Sequence, residues 1–147
     1  MTNDALFERI SESFRRQRLL ETIGAQLIHV AKGEVDIEHP FSNSIEQQHG
    51  FAHAGAMATI ADSACGYACL TEMPGDSAVL SVEFKVNLLA PAIGERFVAK
   101  ARTVRVGRTI AVATASVIAL DSTKADIHIA QMQATMMRVE PRDGLRG

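Results

Sequence analysis

The sequence predicts an α+β fold in which an antiparallel sheet wraps around one long buried helix, with an extra helix at the N-terminus. Three features carry this. Residues 53–70 are small or apolar almost all round, and a helix apolar on every side is one buried on every side. Residues 78–89, 95–106, 109–120 and 126–139 show the alternation and turn boundaries of strands. Residues 4–20 space Leu6, Ile10, Phe14 and Leu20 among charges at roughly helical intervals.

Taken in order, the N-terminal helix over about 4–20 lies on the rim of the domain. Residues 23–30 and 34–38 form two short strands around Ala31-Lys32-Gly33, and Pro40 closes the second. Residues 41–52 read as loop. Pro74 and Gly75 end the long helix. In the strand that follows, Val82, Phe84, Val86 and Leu88 share one face, with Glu83, Lys85 and Asn87 on the other. Gly107-Arg108 is a hairpin signal, residues 121–125 are a polar turn, and the tail 141–147 reads as loose. The 147 residues, 47% of them hydrophobic, suffice for one domain with one core, about 23–139.

Charge and composition exclude several classes. A net charge of −2 offers no basic field to recruit nucleic acid or an anionic membrane. The first twenty residues are too charged for a signal peptide, and residues 54–70 are too short and Ala-rich for a membrane span. Cys65 and Cys69, stacked i,i+4 on a helix, are poorly placed for a disulfide and fit a reducing, cytoplasmic compartment. No Gly-x-Ser-x-Gly elbow, phosphate loop or dinucleotide glycine pattern occurs. His49 and His53 lack a third ligand at helical spacing, so no metal is expected.

Asp62 is the one carboxylate in the apolar helix. Burying it unpaired costs several kcal/mol, so it either reaches the surface or bonds Ser63, Thr59 or a neighbouring strand, or it is kept for chemistry. Immediately ahead of the helix, Gln47-Gln48-His49-Gly50-Phe51-Ala52-His53-Ala54-Gly55 brings amides, imidazoles and glycines to a helix N-terminus, where free N–H groups can bind an oxyanion.

His53-Ala54-Gly55 followed by Thr59-Ile60-Ala61-Asp62 resembles the His-Gly-Gly segment and downstream Asp of the hotdog-fold thioesterases of the PaaI-like, 4-hydroxybenzoyl-CoA thioesterase type. Ser81-Val82-Glu83-Phe84, Ala90-Pro91 and Gly94 extend the resemblance, which covers residues 23–139. It implies an acyl-CoA thioesterase that needs no cofactor, coenzyme A being part of the substrate. Asp62 takes the place of the family's general base or nucleophile. Ala54 takes the place of the glycine whose N–H polarises the thioester carbonyl, Gln47 that of an assisting Asn, and Ser81 that of a residue orienting the water. Two departures stand out: Ala54 adds a methyl where the family has glycine, and Gln47 is one methylene longer than Asn.

His53 is a candidate for a direct role or for a cap. Gly55 belongs to the same substrate-binding corner. Arg105, Gly107 and Arg108, with Lys100 and Arg102, could hold the coenzyme A phosphates or form a solvated strand face. Arg15-Arg16-Gln17-Arg18 reads as the wet side of the first helix. Met57, Tyr67, Phe84 and Phe51 are candidates for the acyl pocket.

Eight residues separate Ala54 from Asp62, about 12 Å at ~1.5 Å per residue, so one carbonyl cannot touch both. A two-fold partner with an antiparallel helix brings the two together, and the family's sites are shared in this way, implying a homodimer, either alone or paired into a homotetramer. Two other readings remain at this point: a hotdog hydratase or dehydratase using His49 or His53 with Asp62, and a non-catalytic acyl-CoA binding module.

Overall fold

The computed structural model describes residues 3–142. The N-terminal helix comes in two pieces, α1 (Asn3–Phe14) and α2 (Arg18–Ile23), rather than one over 4–20. Leu6 and Ile10 are buried, one turn apart on α1. Continued without a break, the helix would bring Gln17 or Arg18 to the inward position that follows Phe14. The turn between the pieces instead seats Leu20 in the core and leaves Leu19 outside. Gly24, at φ 75°, ends α2 in the left-handed conformation that glycine adopts without penalty, which starts the first strand later than expected.

Strands β1 (Gln26–Ala31) and β2 (Glu34–Pro40) form the first hairpin, and a 3₁₀ turn at Asn43–Ile45 interrupts the following loop. Helix α3 spans Ala54–Thr71. Four strands then follow: β3 (Ala78–Leu88), β4 (Arg96–Val106), β5 (Ile110–Leu120) and β6 (Ile127–Val139). The described strands make one antiparallel sheet in the order β1-β2-β4-β5-β6-β3. The predicted tail, 141–147, lies almost wholly outside the described residues.

Small side chains bring the helix close to the sheet. The inward face of β5 is Ala111, Ala113, Ala115, Val117 and Ala119, all buried, and Ala99 and Ala101 of β4 and Ala130 and Ala134 of β6 continue the surface. Gly33, at φ 76°, turns the first hairpin toward the end of α3, where its N–H donates to Thr71 Oγ1 at 2.8 Å. Arg9 of α1 donates to the carbonyls of Met73 and Pro74 just past the same end.

The expectation that α3 is buried on all sides holds for its second half and fails for its first. Residues 64–71 are all buried, because α1 and α2 cover the side away from the sheet. Gln17 Nε2 donates to Tyr67 Oη at 2.7 Å, and Phe14 packs on the Tyr67 ring. Gln17 is therefore a packing residue rather than part of a wet face, whereas Arg15 and Arg18 make exposed ion pairs with Glu8 and Glu21. Among the described residues no such cover reaches the first half: Ala54 and Gly55 are exposed, and Ala58, Thr59, Asp62 and Ser63 are half-exposed.

Strand β3 departs from simple alternation. Ser81 pairs with Met136 but Glu83 with Thr135, so Val82 is an extra residue in a bulge. Ser81 thereby joins Phe84, Val86 and Leu88 on the face toward α3, and Val82 leaves the row in which alternation placed it. Apart from Ala78, no residue of this edge strand is buried; Leu80, Val82, Phe84 and Leu88 are 44%, 54%, 44% and 57% exposed.

Candidate active site

The loop before α3 is pinned by backbone bonds that fix where its side chains point. His53 N–H donates to Ile45 O at 2.7 Å and Ala52 N–H to Ala92 O at 3.0 Å. Within it, Gln47 N–H donates to Phe51 O, and Gly50, at φ 83°, donates back to Gln47 O. The side-chain oxygen of Gln47 accepts the His49 N–H, which leaves its NH₂ group as the donor still to be used.

At the helix start the donors are apportioned in the same way. Gly55 N–H goes to His53 Nδ1 at 2.8 Å, and Ala56 N–H to His53 O at 3.0 Å, with Met57 N–H at 3.5 Å from the same oxygen. Ala54 N–H, at the first position, has no intrahelical acceptor within reach. It is the unclaimed donor of the first turn.

Ala54, Gln47 and His53 line a cleft of about 580 Å³ whose remaining wall, apart from Gln48, is apolar, including Phe51, Met57, Leu88, Leu89 and Ile129. Of the four candidates for an acyl pocket, Phe51 and Met57 line this cleft. Tyr67 and Phe84 do not line it: Tyr67 is buried five residues past Asp62 and bonded to Gln17, and Phe84 lies farther along β3. Leu88, Leu89 and Ile129 were not singled out from sequence. Their signal is the Ala90-Pro91 turn, which folds the end of β3 over the helix terminus.

Asp62 lies two turns along α3 from Ala54, outside the cleft. Its Oδ1 accepts the Ser81 hydroxyl at 2.7 Å, so of the partners open to it the strand is the one taken; Thr59 instead donates to Gly55 O. Burial pushes the Asp62 carboxyl above its ordinary value, and the Ser81 bond, which favours the charged form, only partly offsets this. Ser81 Oγ also lies 3.5 Å from Met136 Sδ, so its hydroxyl is held against the sheet on one side.

The Gly107-Arg108 turn belongs to the Asp62 half of the molecule. Ser81 pairs with Met136, Met136 with Ala111 and Ala111 with Val106, a single row across four strands that ends at this turn. The cleft lies toward the opposite end of β4, a strand about 33 Å long at ~3.3 Å per residue. Arg105 and Arg108 are exposed, and Lys100 is exposed on the outer sheet face. Arg102 is engaged by Asp36 at 2.7 Å and Glu34 at 3.4 Å.

Cys65 and Cys69 are free and buried, and burial pushes both thiols up, Cys69 to about 12, which makes them poor nucleophiles. Among the described residues no three His, Cys, Asp or Glu side chains are grouped to hold a metal ion, and no helix is long and apolar enough to cross a membrane.

The sequence profile of the thioesterase superfamily matches residues 49–125, from the loop before α3 through β5. A Halobacterium salinarum protein named as an esterase is 32% identical over 105 residues, 68% of this chain and 69% of that one. The chain belongs to the thioesterase superfamily. It is a thioester hydrolase with a hotdog fold. A thioesterase family protein from Silicibacter pomeroyi superposes with a TM-score of 0.89 at 43% identity, covering 92% of this thioesterase and 99% of that chain. The PaaI protein of E. coli, from a phenylacetic acid degradation operon, shares the fold with a TM-score of 0.81 at 15% identity, over 95% and 96% of the two chains. The 1,4-dihydroxy-2-naphthoyl-CoA hydrolase of Listeria monocytogenes is 26% identical over 91 residues, 62% of this chain and 74% of that one.

Proposed function

We propose that this thioesterase hydrolyses an acyl-CoA to the free acid and coenzyme A, at sites shared between the subunits of a homodimer. The observation that carries the reading is a row on α3: Ala54, Ala58 and Asp62, four residues apart, run along the half of the helix that the described residues leave uncovered. An antiparallel copy of the helix packed on this row sets Ala54 of one subunit opposite Asp62 of the other. The two-fold axis then passes near Ala58, whose methyl group permits close approach. The unpaired edge of β3, with its exposed leucines, valine and phenylalanine, supports the same partner, since an apolar edge strand left open invites a second copy.

In such a site the thioester carbonyl lies against the free Ala54 N–H and the Gln47 NH₂. Asp62 of the facing subunit removes a proton from water, or attacks directly. The carbonyl oxygen takes negative charge in the tetrahedral intermediate, where preorganised donors act most strongly, and its collapse expels coenzyme A as thiolate. Ser81 holds the carboxylate that orients the water. Burial, which raises the Asp62 carboxyl, makes its carboxylate a stronger base than an ordinary aspartate. Arg105, Gly107 and Arg108 are in the same half of the fold as Asp62 and would meet the nucleotide end of the substrate. The cleft by Phe51 and Met57 would take part of the acyl-CoA bound by the other half-site. Two free buried thiols are in keeping with a cytoplasmic enzyme.

The test is thiol release from a panel of acyl-CoAs of varied length and aromaticity, by the wild type and by Asp62→Asn. Release from at least one member, lost in the variant, is expected. Binding without release across the panel, or a double bond formed without free thiol, would contradict hydrolysis.

A further inference from the structure

His53 commits nearly all its polar groups to the start of α3. Its N–H donates to Ile45 O, its carbonyl takes the Ala56 N–H, and its ring Nδ1 accepts the Gly55 N–H at 2.8 Å. A ring nitrogen that accepts carries no proton, so the neutral imidazole has its hydrogen on Nε2. Gly55 is what gives the ring room. A Cβ at this position would lie 3.0 Å from His53 Nδ1 and 3.4 Å from Cε1, so the ring would have to give by a few tenths of an ångström from its capping position.

We infer that His53 is a positioning residue for the oxyanion donor rather than a group that touches substrate. By taking the Gly55 amide it leaves Ala54 N–H as the one unclaimed donor of the first turn, on the wall of the cleft, and it fixes the peptide plane that carries that donor. His53 and Gly55 act as one device. The inference rests on the proposed role of Ala54 N–H.

Without the cap, Gly55 N–H is a second, competing donor and the Ala54 peptide is free to tilt. The penalty falls on the transition state, where the oxyanion is fully formed. Losing a donor outright costs about 10²–10³ in kcat, so a loosened donor should cost roughly tenfold. The fold is not at stake, because α3 is held by the sheet along its length.

The test is steady-state kinetics of His53→Ala, His53→Asn, Gly55→Ala and the His53→Ala/Gly55→Ala double variant on the best acyl-CoA. A long-range ¹H–¹⁵N correlation of the wild-type histidines is recorded alongside. His53→Ala should lose kcat with KM nearly unchanged, and His53→Asn should recover most of it, since asparagine caps a first-turn amide through its own oxygen. Gly55→Ala should match His53→Ala, and the double variant should be no worse than either single one. His53 should show a bare Nδ1 and a protonated Nε2. Asparagine as poor as alanine, a change confined to KM, additive losses in the double variant, or a proton on Nδ1 would each overturn the inference while leaving thioester hydrolysis intact. A wild type inactive on every acyl-CoA would overturn the underlying reading and this inference with it.

Discussion

The Ser81 hydroxyl donates to Asp62 Oδ1 at 2.7 Å, and the Val82 bulge makes the contact possible by turning Ser81 to the helix side of its strand. Strict alternation from Phe84 would have pointed Ser81 outward with Glu83 and left the carboxylate without this partner. The bond pulls the Asp62 carboxyl down while burial, the larger influence, holds it up.

Removing the bond therefore moves the carboxyl further up. Ser81→Ala should shift the acidic limb of the kcat/KM profile to higher pH and lower kcat at neutral pH about tenfold, with little change in KM. A pH–rate series checks this. A limb moved to lower pH, or a change in KM alone, would remove Ser81 from the role of holding the base.

Asp62→Asn should cut turnover at least about a hundredfold and raise thermal stability at pH 7. The sign follows from linkage. With its folded pKa above the unfolded value of about 3.9, Asp62 binds more protons in the native state. Native stability therefore falls as pH rises through the folded value. Asparagine escapes that loss, so its margin over wild type should shrink as pH drops toward about 4. Thermal melts at pH 4 and pH 7 measure it, and a wild type more stable than the variant at pH 7 would contradict the account.

His39 supplies a second pH effect, of opposite sign. It is fully buried on β2 against Phe97, neither ring nitrogen has a partner among the described residues, and burial pushes its pKa down. The unfolded chain therefore binds the proton more readily, and stability is lost as pH falls below about 6.5. His39→Leu should flatten that loss between about pH 7.5 and 5.5, read by chemical denaturation. An equally steep loss in the variant would assign the acid sensitivity elsewhere.

The frame of the molecule was legible because it rests on periodicity. The alanine-rich helix and the four alternating segments specify their partners through one face each, and the observed strand ends fall within one residue or so of those read from sequence for β3 to β6. What depended on phase was not legible. The Val82 bulge has no glycine to mark it, so the inward row of β3 read as beginning at Val82, and Ser81 was assigned by resemblance rather than by pattern. Nor could the helix break before Arg18 be seen, since charged and apolar residues continue through it. The first half of α3 looked like a buried helix because, in sequence, alanines on an open helix face read the same as alanines under a sheet. Within the site, Gln47, Ala54 and His53 do meet at one cleft and Asp62 does meet Ser81, but His53 Nδ1 as a cap is a matter of ring orientation, on which sequence is silent.

The measurement that bears most directly on the proposed sharing of the site is complementation between Ala54→Pro and Asp62→Ala. Ala54→Pro removes the N–H at the first helical position, where proline is tolerated, and His53, at φ −65° and ψ 137°, already has the extended backbone that a following proline requires. Each variant alone should be nearly inactive. Unfolded and refolded together, half the dimers should be hybrids, each with one site carrying both groups and one carrying neither, so thiol release should return to roughly a quarter of the wild-type rate. Hybrids present by native mass spectrometry without recovered activity would contradict the account.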